Sequence, residues 1–171
     1  MASAETTFRS SAPEETEAFG ERLGSALVAG SCLALVGELG AGKTTLVRGL
    51  ARGLETRTAV ASPTFTRMRV LEGRLPLLHF DAWRGGGEGL FEEGRELLGG
   101  EGVAVVEWAD RVTPFLPVPR LELGLRHAGE GVRVLVARVV PPAEGAGPAA
   151  RELAEALRLA LAAAVQDSGG A

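Results

Sequence analysis

Asparagine and tyrosine are missing from this sequence, glutamine occurs once at position 166, and lysine occurs once at position 43. Cysteine also occurs once, as Cys32, so no internal disulfide can form, in keeping with a reducing compartment. Its setting in the apolar run CLALV marks Cys32 as a small core residue rather than a nucleophile. No apolar run approaches the ~20 residues that span a bilayer. No basic segment followed by an apolar one opens the sequence, so neither a membrane helix nor a secretory leader is expected, and the expected location is cytoplasmic. A positive excess is lacking too: the net charge is −4 and the pI about 5.3, a field that repels a phosphate backbone. Any work on nucleic acid is therefore expected to depend mainly on partners for its contacts.

What is present is the composition of a globular domain. Hydrophobic residues at 46% and charged residues at 23% exclude a disordered tail, and 171 residues suit one domain with one core. Of 18 basic residues one is lysine, leaving 17 arginines. A composition so biased retains lysine only where a guanidinium does not serve.

Periodicity predicts an α/β domain over residues 1–140, a mixed sheet flanked by helices, then a linker over 141–150 and a C-terminal helix and tail over 151–171. Residues 5–10 read as a strand. SAPEETEAFGERLGSAL reads as a helix with Ser11 and Glu14 spaced as a capping box, burying Phe19, Leu23, Ala26 and Leu27. CLALV and VAVVE are buried-type strands, and FTRMRVLEGRLPLLHFD holds two strands around a turn at Glu72 and Gly73. GLFEEGRELL is a short helix, and RLELGLRHAGEGVRVLVARVV alternates as an antiparallel hairpin. The terminal helix places Leu153, Leu157 and Leu161 on one face, suited to packing on its own domain.

The lone lysine lies in GELGAGKTT, which matches G-x-x-x-x-G-K-[ST] between a predicted strand and a predicted helix. Glycines let backbone N–H groups curl around phosphates, and an ammonium fits as a point charge where a planar guanidinium does not. The candidate nucleotide cradle is therefore Gly37, Glu38, Leu39, Gly40, Ala41 and Gly42 with Lys43, Thr44 and Thr45. The Thr44 hydroxyl is placed to ligate Mg²⁺, Thr45 supports the turn, and the following helix contributes free amides and its dipole. A chance glycine-rich turn is the bland alternative, disfavoured by the strand before the loop and the helix after it.

Two strand-end carboxylates compete to hold the metal, Asp81 ending LPLLHFD and Glu107 ending VAVVE. VAVV is the cleaner buried strand, which favours Glu107; either acid serves equally as a solvated strand end. His79 lies two residues before Asp81 and shares its face, where a hydrogen-bonded core histidine is the bland reading. Ser62 and Thr64 in SPTF stand where other P-loop proteins carry a switch segment, or simply form a Pro-containing turn. Alternation points Trp108 to the opposite face from Glu107. Trp83 and Arg84 extend the strand end of Asp81, with Arg84 near a phosphate or capping a surface.

GELGAGKTT, SPTF, HFDAWR and VVEW, in this order and at these intervals, resemble the TsaE family of bacterial P-loop ATPases that support threonylcarbamoyladenosine modification of tRNA. The resemblance runs from about Ser10 to about Val140 and implies a single P-loop NTPase domain. It implies ATP in the loop, Mg²⁺ bound by Thr44 and Glu107, and functional roles for Ser62, Thr64, Asp81 and Trp108. It further implies action on a complex of TsaD and TsaB, which carry the chemistry on tRNA, and a base near Ala12 and Pro13. Departures are Trp83 where the family has Tyr, the glycine-rich RGGGEG segment and the terminal helix. A small-molecule kinase of shikimate-kinase type and a nucleotide-gated docking module are the competing readings. The kinase lacks a D-x-D segment and an arginine-rich lid, and a guanine switch lacks the second lysine that its [NT]-K-x-D motif needs.

Overall fold

The computed structural model describes residues 5–61, 66–84, 86–98 and 100–166. The elements are β1 (Thr6–Ser10), α1 (Pro13–Ala26), β2 (Cys32–Val36), α2 (Lys43–Gly53), β3 (Met68–Leu71), β4 (Leu77–Asp81), α3 (Glu88–Leu98), β5 (Val103–Glu107), β6 (Arg120–His127), β7 (Arg133–Val140) and α4 (Pro148–Gln166). Two 3₁₀ turns, Ala109–Arg111 and Thr113–Phe115, follow β5. The seven strands form one sheet in the order β1-β7-β6-β2-β5-β4-β3.

CLALV and VAVVE have no polar alternation, and such runs belong in the middle of a sheet covered on both faces. They lie side by side and parallel, β2 between β5 and β6, with β4 parallel to β5. β3, β7 and β1 extend the two edges by antiparallel pairing, which makes the sheet mixed as expected. Leu33, Leu35, Val103, Val105, Leu121 and Leu123 face a core shared with α1, α2 and α4. Cys32, Ala34, Leu78, Phe80 and Val106 face the opposite layer, where Phe91 of α3 and Leu116 close the second core. Burial pushes the Cys32 thiol up to about 12, consistent with an inert core residue.

α1 begins one residue later than a Ser11 cap requires. Ala12 is the N-cap and makes no side-chain bond, Pro13 takes the first helical position, and the Ser11 N–H donates to Glu15 Oε2 at 2.6 Å. Proline's fixed φ and missing N–H suit the first helical position, and this sets the start against the expected Ser11–Glu14 box. The acid that reaches back is Glu15, one residue further on.

Where α1 crosses α2, Gly20 and Gly24 face Gly49 and Gly53. A Cβ built on Gly20 would stand 2.6 Å from the Leu46 carbonyl oxygen, and one on Gly49 would stand 2.9 Å from the Gly20 Cα. The two helices thus touch backbone to backbone, and α1 forms a wall behind the helix that follows the glycine loop. α4 covers the other side of α1, burying Ala154, Leu157, Leu161 and Ala164, and Arg22 Nε donates to the Ala164 carbonyl at 2.9 Å. The three leucines expected on one face do pack inward, Leu153 only in part.

Candidate functional site

The loop of residues 37–42 leaves β2 and enters α2 at the carboxyl ends of the parallel strands, the edge where open α/β sheets bind ligands. Gly42 caps α2 with φ 105°, a left-handed conformation that a side chain would strain. Lys43 opens the helix and is 5% exposed. Its Nζ donates to the Gly37 carbonyl at 2.5 Å and the Glu38 carbonyl at 2.8 Å, and lies 3.7 Å from the centre of the Trp108 ring. Burial lowers the Lys43 pKa below 10.5, a shift that Glu107, Asp110, Asp81 and Glu38 oppose by their charge.

Register brings the acids together. Leu35 of β2 pairs with Glu107 of β5, and Glu107 pairs with Asp81 of β4, so both carboxylates lie on the face that carries α2. The Thr44 hydroxyl lies 3.0 and 3.1 Å from the two Glu107 oxygens. His79 Nε2 lies 2.7 Å from Glu107 Oε1, and both residues are buried. Asp81, 7% exposed, accepts the Trp83 backbone N–H at 2.8 Å. Gly40, Gly42, Lys43 and Thr44 on one side and Asp81 and Glu107 on the other enclose a cavity of about 280 Å³. Its chemistry is polarised, with loop amides and an ammonium facing hard carboxylate and hydroxyl oxygens.

Asp81, Glu107, Thr44 and Lys43, each singled out in the sequence, therefore meet across one cavity. Ser62 and Thr64 lie outside the described residues. Trp108 only partly follows alternation: β5 ends at Glu107, and Trp108 adopts φ 58°, which turns its ring under Lys43 while one side still packs on the second core. Trp83 lies 4.2 Å from Trp108 between ring centres, and the Arg111 guanidinium stacks 4.6 Å over Trp83. Arg84 is exposed on the turn after Asp81. His79 is the hydrogen-bonded core histidine of its bland reading, but its partner Glu107 and the stacking of Arg111 were missed in the sequence. The shared face of His79 and Asp81 was a partial signal for the first; for Arg111 there was none.

A glycine-rich loop set against strand-end acids in a mixed seven-stranded sheet flanked by helices defines a single-domain α/β protein. The family model described as threonylcarbamoyl adenosine biosynthesis protein TsaE matches residues 10–135. The chain is 41% identical over 122 residues to the tRNA threonylcarbamoyladenosine biosynthesis protein TsaE of Treponema pallidum, covering 70% of this chain and 90% of that protein. Identity to the protein of the same name from Bacillus subtilis is 40% over 128 residues, covering 71% and 77%. A crystal structure of Bacillus subtilis YdiB superposes with a TM-score of 0.72 at 33% identity, over 93% of this chain and 97% of that one. The chain belongs to the TsaE family, whose members take part in threonylcarbamoyladenosine biosynthesis.

Proposed function

We propose that this chain binds ATP with Mg²⁺ and hydrolyses it in support of threonylcarbamoyladenosine modification of tRNA adenosine 37, acting on a partner complex of TsaD and TsaB. The observation that carries the reading is the meeting of Lys43 and its loop with the Thr44–Glu107 pair across one cavity. No helix among the described residues is long and apolar enough to cross a membrane.

The donor set fits Mg²⁺. This ion takes hard oxygens, needs only one or two protein ligands, and fills its remaining positions with phosphate and water. Thr44 Oγ1 and the Glu107 carboxylate, already within 3.1 Å of each other, would hold it. When bound, the ion neutralises charge on the transferring phosphoryl group. Lys43 and the free amides at the start of α2 bind the phosphates. His79 fixes the orientation of the Glu107 carboxylate, and Asp81 with Thr64 orients the attacking water. A second cavity of about 100 Å³ beside Pro13, Thr16, Gly42 and Thr45 supports the expectation that the base sits near the entry to α1. Trp108 lines the phosphate side.

Steady-state ATP hydrolysis by the purified chain with Mg²⁺, with and without TsaB and TsaD, tests the reading. Slow turnover alone and stimulation by the pair are expected. Fast turnover indifferent to the pair would refute the partner role and redirect the search to a small-molecule acceptor. Lys43→Ala should abolish nucleotide binding; undiminished affinity would remove the site assignment.

A further inference from the structure

The hairpin of β6 and β7 ends against the glycine loop. His127 and Arg133 stand directly opposite each other where the hairpin turns, and both reach residues 38–40. His127 Nε2 lies 3.7 Å from Glu38 Oε1, while Arg133 Nη2 donates to the Gly40 carbonyl at 3.1 Å across 93 residues of sequence. Arg133 Nη1 donates to the Val132 carbonyl at 3.0 Å, which anchors the guanidinium to the hairpin turn.

Peptide planarity makes the Gly40 contact informative. The carbonyl of Gly40 and the N–H of Ala41 belong to one rigid unit and point in opposite directions. Holding that carbonyl therefore fixes the direction of the Ala41 N–H, one of the loop amides, which now bonds to the Glu38 carbonyl at 3.1 Å. Gly40 itself, at φ 76°, has no side chain to restrict it, so Arg133 adds a restraint from outside the loop to the Ala41–Glu38 bond within it. A second observation concerns cost. Arg133 Nε is buried and has no hydrogen-bond partner among the described residues. Buried donors in folded proteins are nearly always satisfied, and an unsatisfied one calls for a reason other than stability. The same side chain lines the small cavity beside Pro13, Thr16 and Gly42.

We infer that Arg133 is a positioning residue for the glycine loop, fixing the Gly40–Ala41 peptide so that the loop amides converge on a polyphosphate. This inference rests on the nucleotide-binding reading above. It assigns a β7 residue, far from the loop in sequence, to the organisation of the phosphate site.

Calorimetric titration of wild-type chain, Arg133→Met and Arg133→Lys with ATP and with inorganic tripolyphosphate, each with Mg²⁺, tests it. Methionine keeps an apolar stem and removes every donor. Its affinity for both ligands should fall about tenfold, by the same factor, since the loss of one hydrogen bond to a charged group is of this order. Arg133→Lys, which keeps the charge and a single donor nitrogen, should recover part of that loss while the melting temperature of the ligand-free protein stays near wild type. It also carries the test should the methionine variant fold poorly. Unchanged affinity overturns the inference. A loss confined to ATP, with tripolyphosphate unaffected, also overturns it, because the arginine would then act on the base and not through the loop. Failure of the wild-type chain to bind either ligand would instead refute the nucleotide-binding reading itself.

Discussion

Replacing Gly49 by alanine tests the contact between α1 and α2. The new methyl group would stand 2.9 Å from the carbonyl carbon of Glu17 and 2.9 Å from the Gly20 Cα, both backbone atoms, with the Glu17 carbonyl oxygen closer still. Backbone inside a packed helix cannot rotate away as a side chain would, so the two helices must separate. Overpacking of this kind costs about 1–3 kcal/mol even where side chains can adjust. Alanine returns about 1 kcal/mol of intrinsic helix propensity over glycine. With rigid backbone on both sides the upper end of the cost applies, and a net loss of about 2 kcal/mol remains. For a domain of this size each kcal/mol shifts the melting temperature by about 2–4 °C, so a fall of about 4–8 °C is expected. Gly89 in α3 provides the internal control, because a Cβ there meets nothing within 4 Å. Gly89→Ala should keep or slightly raise the melting temperature. Circular dichroism melts of the two variants decide the matter: a Gly49→Ala protein as stable as wild type would refute backbone contact between the helices. Because α2 carries Lys43 and Thr44 at its first turn, the same variant should also bind nucleotide more weakly.

Lys43→Met removes a buried ammonium. The folded pKa of Lys43 lies below 10.5, so the folded chain holds this proton less tightly than the unfolded chain, and wild-type stability rises with pH between the lowered value and 10.5. Thermal melts should show the variant gaining most over wild type at neutral pH, with the difference closing as pH approaches 10.5; a difference that widens would contradict the burial argument. His79→Leu removes the 2.7 Å partner of Glu107 while keeping the site filled. Partners that orient a metal ligand are typically worth about ten- to a hundredfold in affinity or activity. Mg²⁺ titration of ATP hydrolysis should show a loss in that range, and a wild-type Mg²⁺ response would dismiss the positioning role of His79.

Much of this site was legible because its chemistry is local in sequence. A buried strand, a glycine loop, a lysine and a threonine follow one another without interruption, and their spacing alone requires a loop between strand and helix. Glu107 and Asp81 were legible as strand ends, but their meeting depends on the register of β4 against β5, which hydrophobic pattern does not encode. The hydrogen bond from His79 to Glu107 is hidden for the same reason. Trp108 escaped a simple alternation rule because the strand stops one residue before it and its φ turns positive. The misplaced cap of α1 shows proline's preference for the first helical position prevailing over a serine–glutamate spacing. Glycine lowers intrinsic helix propensity, so the glycines of α1 and α2 carry no helical signal of their own. Only the crossing of the two helices reveals them as the surface that lets the helices meet.

Lys43 has a consequence for handling the protein as a reagent. A sequence with a single lysine has one side-chain amine, so acylating reagents address one position besides the α-amino group, and lysine-specific proteases address one position alone. That amine is nearly enclosed between its loop and an indole ring, and its lowered pKa leaves more of it unprotonated at mildly alkaline pH than an ordinary lysine would have. Labelling it is therefore a direct footprint: protection by any added molecule reports occupancy at this one point, without a radioactive or fluorescent ligand.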